Sequence, residues 1–138
     1  MASRPDRPLL TVDGILVHEG KVVAILRRNE PFRGMPALPG GFIELGERAE
    51  EAVVREVREE TGLETRVVRL VGVYSDPARD PRGHVVSIAY EVERVGGALK
   101  AGTDAEAVVL LDPFRLPAMA FDHARILEGW RGRWETVP

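Results

Sequence analysis

GFIELGERAEEAVVREVREETGL, residues 41–63, is the stretch on which the reading of this chain turns. Ala49, Ala52, Val53 and Val57 recur at i, i+3, i+4 and i+8, the spacing of one buried helical stripe. The pattern predicts a helix from Glu47 or Arg48 to about Thr61, ended by Gly62, which tolerates positive φ. At about 100° per residue, Glu56 and Glu60 fall inside the apolar stripe and Glu59 at its edge. Arg48, Arg55 and Arg58 fall on the other side.

Carboxylates at i, i+3 and i+4 are neighbours and repel. A half-buried cluster of one sign is costly without a compensating cation, and an all-oxygen set suits a hard divalent ion, Mg²⁺ or Mn²⁺. The plain alternative is a solvated helix with Glu51–Arg55 and Arg55–Glu59 as i,i+4 pairs. The lead-in Leu38-Pro39-Gly40-Gly41 weighs against it, because it brings bare backbone close to the carboxylates, where a carbonyl can join a ligand set.

Gly41, Glu47, Arg55-Glu56, Val57, Glu59-Glu60, Gly62 and Leu63 stand at the spacing of the Nudix hydrolase signature, which this stretch resembles at all nine specified positions. The resemblance implies an α/β fold, a mixed β-sheet sandwiched between α-helices. It also implies metal-assisted attack of water on the pyrophosphate of a nucleoside diphosphate linked to another group.

Composition sets the outer bounds. The 138 residues are enough for one domain with a real core, taken here as residues 1–138 with 1–8 as a loose arm. A net charge of −3 gives no broad basic field for nucleic acid. The absence of cysteine removes disulfides and thiolate chemistry. No apolar run reaches the roughly 18 residues of a membrane span, and the N-terminus lacks a signal-peptide core, so a cytoplasmic protein without membrane partners is expected.

Around the signature, residues 9–18 and 21–28 read as strands joined by a Glu19-Gly20 hairpin, and 29–37 as a loop. Short strands are expected at 42–44 and 105–111, longer ones at 65–74 and 84–95, with a turn at Gly96-Gly97. Residues 118–129 read as a second helix, followed by a tail carrying Trp130 and Trp134.

Carried over by position, the resemblance makes Glu56, Glu60 and the Gly40 carbonyl metal ligands and Glu59 a ligand or base. Arg55 becomes an orienting ion-pair partner, and Glu47 favours the helix start or assists the metal. The base that deprotonates water is sought among Asp104, Glu106, Glu56 and Glu59. General similarity over residues 8–16, 38–47, 71–90 and 120–127 is to the ADP-ribose pyrophosphatase branch of the family. On that reading Arg27, Arg28, Ser75, Asp76, Arg79 and Arg82 are the substrate-binding candidates, while Phe32 and Tyr74 stack on adenine or pack in the core. His84 and His123 read as structural. The resemblance implies a homodimer, with Trp130 and Trp134 as contact residues. Two other functions fit the signature: a nucleoside triphosphate pyrophosphohydrolase, and a non-catalytic ADP-ribose sensor. The sensor is disfavoured by filled carboxylate positions and by the short chain after Val95.

Overall fold

The computed structural model describes residues 6–100 and 108–136, with side chains as far as 131. Its sheet is assembled on β1 (Leu9–His18), which is buried without a break from Thr11 to Leu16. Alternation is lost there because both faces of the strand are covered. Val12 and Leu16 pack with Ala52, Val53 and Val57 of α1 (Ala49–Thr61), whereas Ile15 packs with Ile126, Leu127 and Trp130 of α2 (His123–Thr136).

The remaining strands are β2 (Lys21–Leu26), β3 (Pro36–Ala37), β4 (Gly40–Phe42), β5 (Leu63–Tyr74), β6 (Val85–Gly97) and β7 (Val108–Leu111). The sheet order is β3-β2-β1-β6-β5, with β4 added to β1 and β7 to β2. β1 and β6 run parallel and the other pairs antiparallel. This is the mixed sheet between helices that was expected. β5 is the outermost strand; its register against β6 shifts three times, and Arg66 and Arg69 pair with Glu93 and Glu91 across it.

Several boundaries differ from the sequence reading. β4 occupies 40–42, not 42–44, because Gly40 and Gly41 pair with Asp13 and Val12. β2 stops at Leu26, so Arg27 and Arg28 lie beyond it. Gly96 and Gly97 do not turn the chain; they finish β6 against Glu64 and Leu63. β6 begins at Val85, and His84 precedes it. β7 is described only from Val108. The second helix starts at His123, not Ala118, because Phe121 takes a φ of 52° and the Ala120 N–H is bonded to the Pro36 carbonyl. It then runs to Thr136, so Trp130 is helical and buried, with Nε1 donating to Glu91 at 2.6 Å. A core residue of this kind offers no surface for a second subunit. The Trp134 side chain lies outside the described residues.

Candidate active site

α1 presents the acidic row. Its first turn is closed by Glu51 Oε1, which accepts from the Arg48 N–H at 3.1 Å, and its end by Gly62, at φ 84°, whose N–H bonds the Arg58 carbonyl. Burying Ala52, Val53, Val57 and Thr61 against the sheet leaves Glu56 and Glu60 on the flank toward β4. Glu60 Oε2 accepts from the Gly40 N–H at 3.1 Å. Burial pushes its carboxyl up to about 8, against the Gly40 bond, and the charges of Glu56, Asp13 and Glu59 add to the rise. Burial also raises Glu56, and Arg55 opposes it. Glu59 is exposed.

β4 comes this close because it has no side chains in the way. A Cβ on Gly41 would stand 2.7 Å from the Glu56 carboxyl, and one on Gly40 would stand 2.1 Å from the Val12 carbonyl oxygen.

Arg55 does not face away from the carboxylates. Its long side chain reaches back over the preceding turn, a direction that helical spacing alone does not convey. Its Nε and Nη2 bind Glu47 at 2.7 and 2.9 Å, Nη1 binds Glu56 at 2.7 Å and Glu59 at 3.3 Å, and Nη2 donates to the Phe42 carbonyl at 3.2 Å. The guanidinium holds Glu47 down to about 2, with help from the Glu44 N–H. Arg55 thus fixes the acidic row, and Glu47 anchors Arg55.

Glu60 points into a cavity of about 110 Å³ whose wall includes Asp13, Arg27, Gly40, Arg82 and Phe121. Arg27 and Glu60 are shared with a neighbouring space of about 320 Å³ that also includes Arg28, Glu59 and Lys100. Phe42 and Arg82 are shared with another, of about 420 Å³, bounded by Leu9 and His84. The three adjoin through these shared residues as one trough, lined by Glu59 and Glu60 of α1 and by Arg27, Arg28, Arg79, Arg82 and Lys100. Arg27 donates to the Pro31 carbonyl at 2.7 Å and lies 4.9 Å over the Phe121 ring. Arg82 lies 5.5 Å from the same ring and is paired with Asp80 through two bonds of 3.1 and 2.7 Å.

Behind the cavity lies a buried polar chain. Ser87 Oγ donates to Asp13 Oδ2, His123 Nε2 is 3.5 Å from Asp13 Oδ1, and His123 Nδ1 accepts the Leu38 N–H at 2.9 Å. Burial raises Asp13 and lowers His123.

Other sequence candidates sit elsewhere or are already engaged. Arg79 lines the same cavity as Glu60 and grips Asp122 there through bonds of 2.9 and 2.6 Å while donating to the Val85 carbonyl, so part of its fork is already engaged. Asp76 caps a turn through the Ala78 N–H at 2.8 Å, and the Ser75 carbonyl accepts from His84 Nε2 at 3.0 Å; neither residue lines the trough. Tyr74 packs on the core, and Phe32 meets Phe121 edge-on at 4.9 Å. Asp104 and Glu106 lie outside the described residues. Asp13, Lys100, Phe121 and the packing of His123 were missed from sequence. Only Asp13 left a signal, as the lone acid in the apolar run LLTVDGILV.

Among the described residues, no three acidic or histidine side chains converge tightly enough to hold a metal ion, and no helix is long and apolar enough to cross a membrane. The donor chemistry nonetheless suits a hard cation: neighbouring carboxylates, one pushed up to about 8 by burial, beside backbone that admits no side chain.

Comparison with known proteins gives a consistent picture. A model of the NUDIX domain family matches residues 8–130. The chain is 52% identical over 129 residues to an ADP-ribose pyrophosphatase of Methanocaldococcus jannaschii, covering 94% of this chain and 76% of the relative. It is 35% identical to a MutT-like protein of Streptomyces ambofaciens, covering 81% and 69%. Its fold resembles the NUDIX domain of Shewanella oneidensis NrtR complexed with ADP-ribose, at TM-score 0.74 and 30% identity, covering 94% of this chain and 90% of that one. A MutT/nudix family protein from Enterococcus faecalis gives TM-score 0.79 and 32% identity, covering 96% of this chain and 64% of its own.

Proposed function

This chain belongs to the Nudix hydrolase family, and from that premise we propose that it hydrolyses ADP-ribose to AMP and ribose 5-phosphate with Mg²⁺ or Mn²⁺. The observation that carries the reading is one cavity lined by Glu60 together with Arg27, Arg79 and Arg82. Carboxylate and guanidinium groups line one space, where a metal-bound pyrophosphate would need both. The choice of ADP-ribose is supported by the 52% identity to an ADP-ribose pyrophosphatase.

Glu56, Glu59 and Glu60, with the Gly40 carbonyl, would hold the ion, which supplies charge neutralisation and Lewis acidity at the pyrophosphate. Arg55 keeps Glu56 and Glu59 oriented while Glu47 fixes Arg55. Arg27 and Arg82 bind phosphate oxygens, and the Phe121 ring beneath both guanidinium groups holds their planes. Arg28 and Lys100 extend the cationic wall beside Glu59. The proton leaves the attacking water to one of Glu56, Glu59, Asp104 or Glu106.

A homodimer belongs to the same reading and is supported by the exposed Val68, Leu70 and Val73 on β5; sedimentation tests it. A cytoplasmic setting is also part of it and rests on the sequence alone.

The deciding experiment incubates purified protein with Mg²⁺ or Mn²⁺ and a panel of ADP-ribose, other sugar nucleotides and nucleoside triphosphates, in ¹⁸O-water. AMP and ribose 5-phosphate from ADP-ribose, with the label in one of them, supports the reading. Brisk release of pyrophosphate from a triphosphate with ADP-ribose untouched refutes it. Binding of ADP-ribose without any product points instead to a ligand sensor.

A further inference from the structure

We propose that His123 is a positioning residue for the carboxylate site: it pins the Leu38–Gly40 backbone so that Gly40 is presented to Glu60. The inference rests on the assignment of Glu60 and the Gly40 carbonyl to the ion.

The geometry forms a relay of fixed contacts. His123 opens α2, on the opposite face of the sheet from the acidic helix. Its Nδ1 accepts the Leu38 N–H at 2.9 Å, so that nitrogen carries no proton and Nε2 carries it. Nε2 is 3.5 Å from Asp13 Oδ1, and Asp13 is held on its other oxygen by Ser87. The Leu38 bond therefore fixes the tautomer, and the Asp13 carboxyl lies beside Nε2 on the other side of the ring, much as an outer-shell carboxylate stands behind a ligating histidine. All three side chains, Asp13, Ser87 and His123, are buried.

Two residues beyond Leu38, the Gly40 N–H donates to Glu60 Oε2 at 3.1 Å, and Gly40 pairs with Asp13 in the sheet. The intervening Pro39 carbonyl accepts from the Gly14 N–H at 2.8 Å. The segment is thus tied to β1 at Pro39 and Gly40, while at Leu38 its N–H is held by His123. Without the imidazole the buried Leu38 N–H has lost this acceptor, and such groups are rarely left unsatisfied. The backbone would then rotate to find another partner, and Gly40 lies two residues away.

Two near-isosteric variants separate this role from simple packing. Asparagine can place Oδ1 where Nδ1 was, keeping the acceptor for Leu38 but not reaching Asp13. Glutamine extends toward Asp13 but leaves Leu38 without an acceptor. The measurement is Mn²⁺ affinity without nucleotide, by electron paramagnetic resonance of the free ion, alongside thermal unfolding in EDTA. His123→Asn is expected to bind Mn²⁺ within about threefold of wild type, and His123→Gln about tenfold more weakly, the lower range for loss of an outer-shell partner. With saturating Mn²⁺, kcat for ADP-ribose should fall in His123→Gln while KM holds. Equal Mn²⁺ affinity in all three folded proteins, or a loss in His123→Asn as large as in His123→Gln, overturns the inference and leaves the hydrolase reading standing. Wild-type protein that takes up no Mn²⁺ overturns the carboxylate site and this role together.

Discussion

Replacing Glu60 by glutamine should abolish most activity and yet make the metal-free protein more stable at neutral pH. The Glu60 carboxyl releases its proton at about 8 in the folded chain, against an ordinary value of 4.5. The unfolded chain therefore gives up that proton first as pH rises. A raised acid of this kind stabilises the fold fully below about pH 4.5; that contribution is lost as pH climbs toward 8, and the penalty then levels off. Linkage across that window gives a destabilisation at pH 7 on the order of 3 kcal/mol, and under about 1 kcal/mol at pH 5. Glutamine retains an oxygen to accept the Gly40 N–H and carries no charge, so the variant should lose this pH dependence. The assay is urea unfolding in EDTA at pH 5, 6, 7 and 8. Wild type should weaken across the series while Glu60→Gln stays level by comparison. Mn²⁺ at a hundredfold excess over its Kd should return about 2.7 kcal/mol to wild type and little to the variant. Parallel pH curves for the two proteins in EDTA would refute the argument that burial and neighbouring carboxylates strain this group.

Four further outcomes can be measured. Arg55→Lys, which replaces a planar fork binding three glutamates by a single ammonium, should lower kcat about tenfold with the fold retained by circular dichroism. Gly40→Ala, whose Cβ would stand 2.1 Å from the Val12 carbonyl, should cost about 3 kcal/mol or more in urea unfolding. Ile126→Ala, in the core under α2 and away from the acidic row, should cost about 3 kcal/mol while leaving Mn²⁺ affinity unchanged in the folded protein. Glu47, held near 2 by Arg55, stabilises fully above about pH 4.5 and loses that contribution as pH falls through 2, so Glu47→Gln should flatten the acid limb of the stability curve.

The acidic helix was legible because its information is local. The apolar stripe from Ala49 to Val57, the Gly62 cap and the placing of Glu56 and Glu60 all follow from residues within a few turns of one another. The direction of Arg55 was not, because a guanidinium on a flexible stem is placed by the carboxylates it finds and not by its Cα. The substrate candidates on residues 75–82 divided for a similar reason. Arg79 and Arg82 both line the cavity, Arg79 held there by Asp122, 43 positions later in the chain, whereas Ser75 and Asp76 stay outside it. The start of α2 was misread because a phenylalanine at positive φ leaves no mark in an apolar pattern that runs on from Ala118. The pairing of His123 with Leu38 spans 85 positions and depends on sheet topology, which periodicity does not encode.

The outermost strand, β5, has a consequence for how copies of this chain could meet. Its register slips three times against β6, so its free rim does not offer the long, evenly spaced ladder that an arriving strand would need to extend the sheet. Arg66 and Arg69, bound to Glu93 and Glu91, set charge among the exposed Val68, Leu70 and Val73. Contact through this border would therefore be made flank to flank, by side chains fitting together, not by lengthening the sheet.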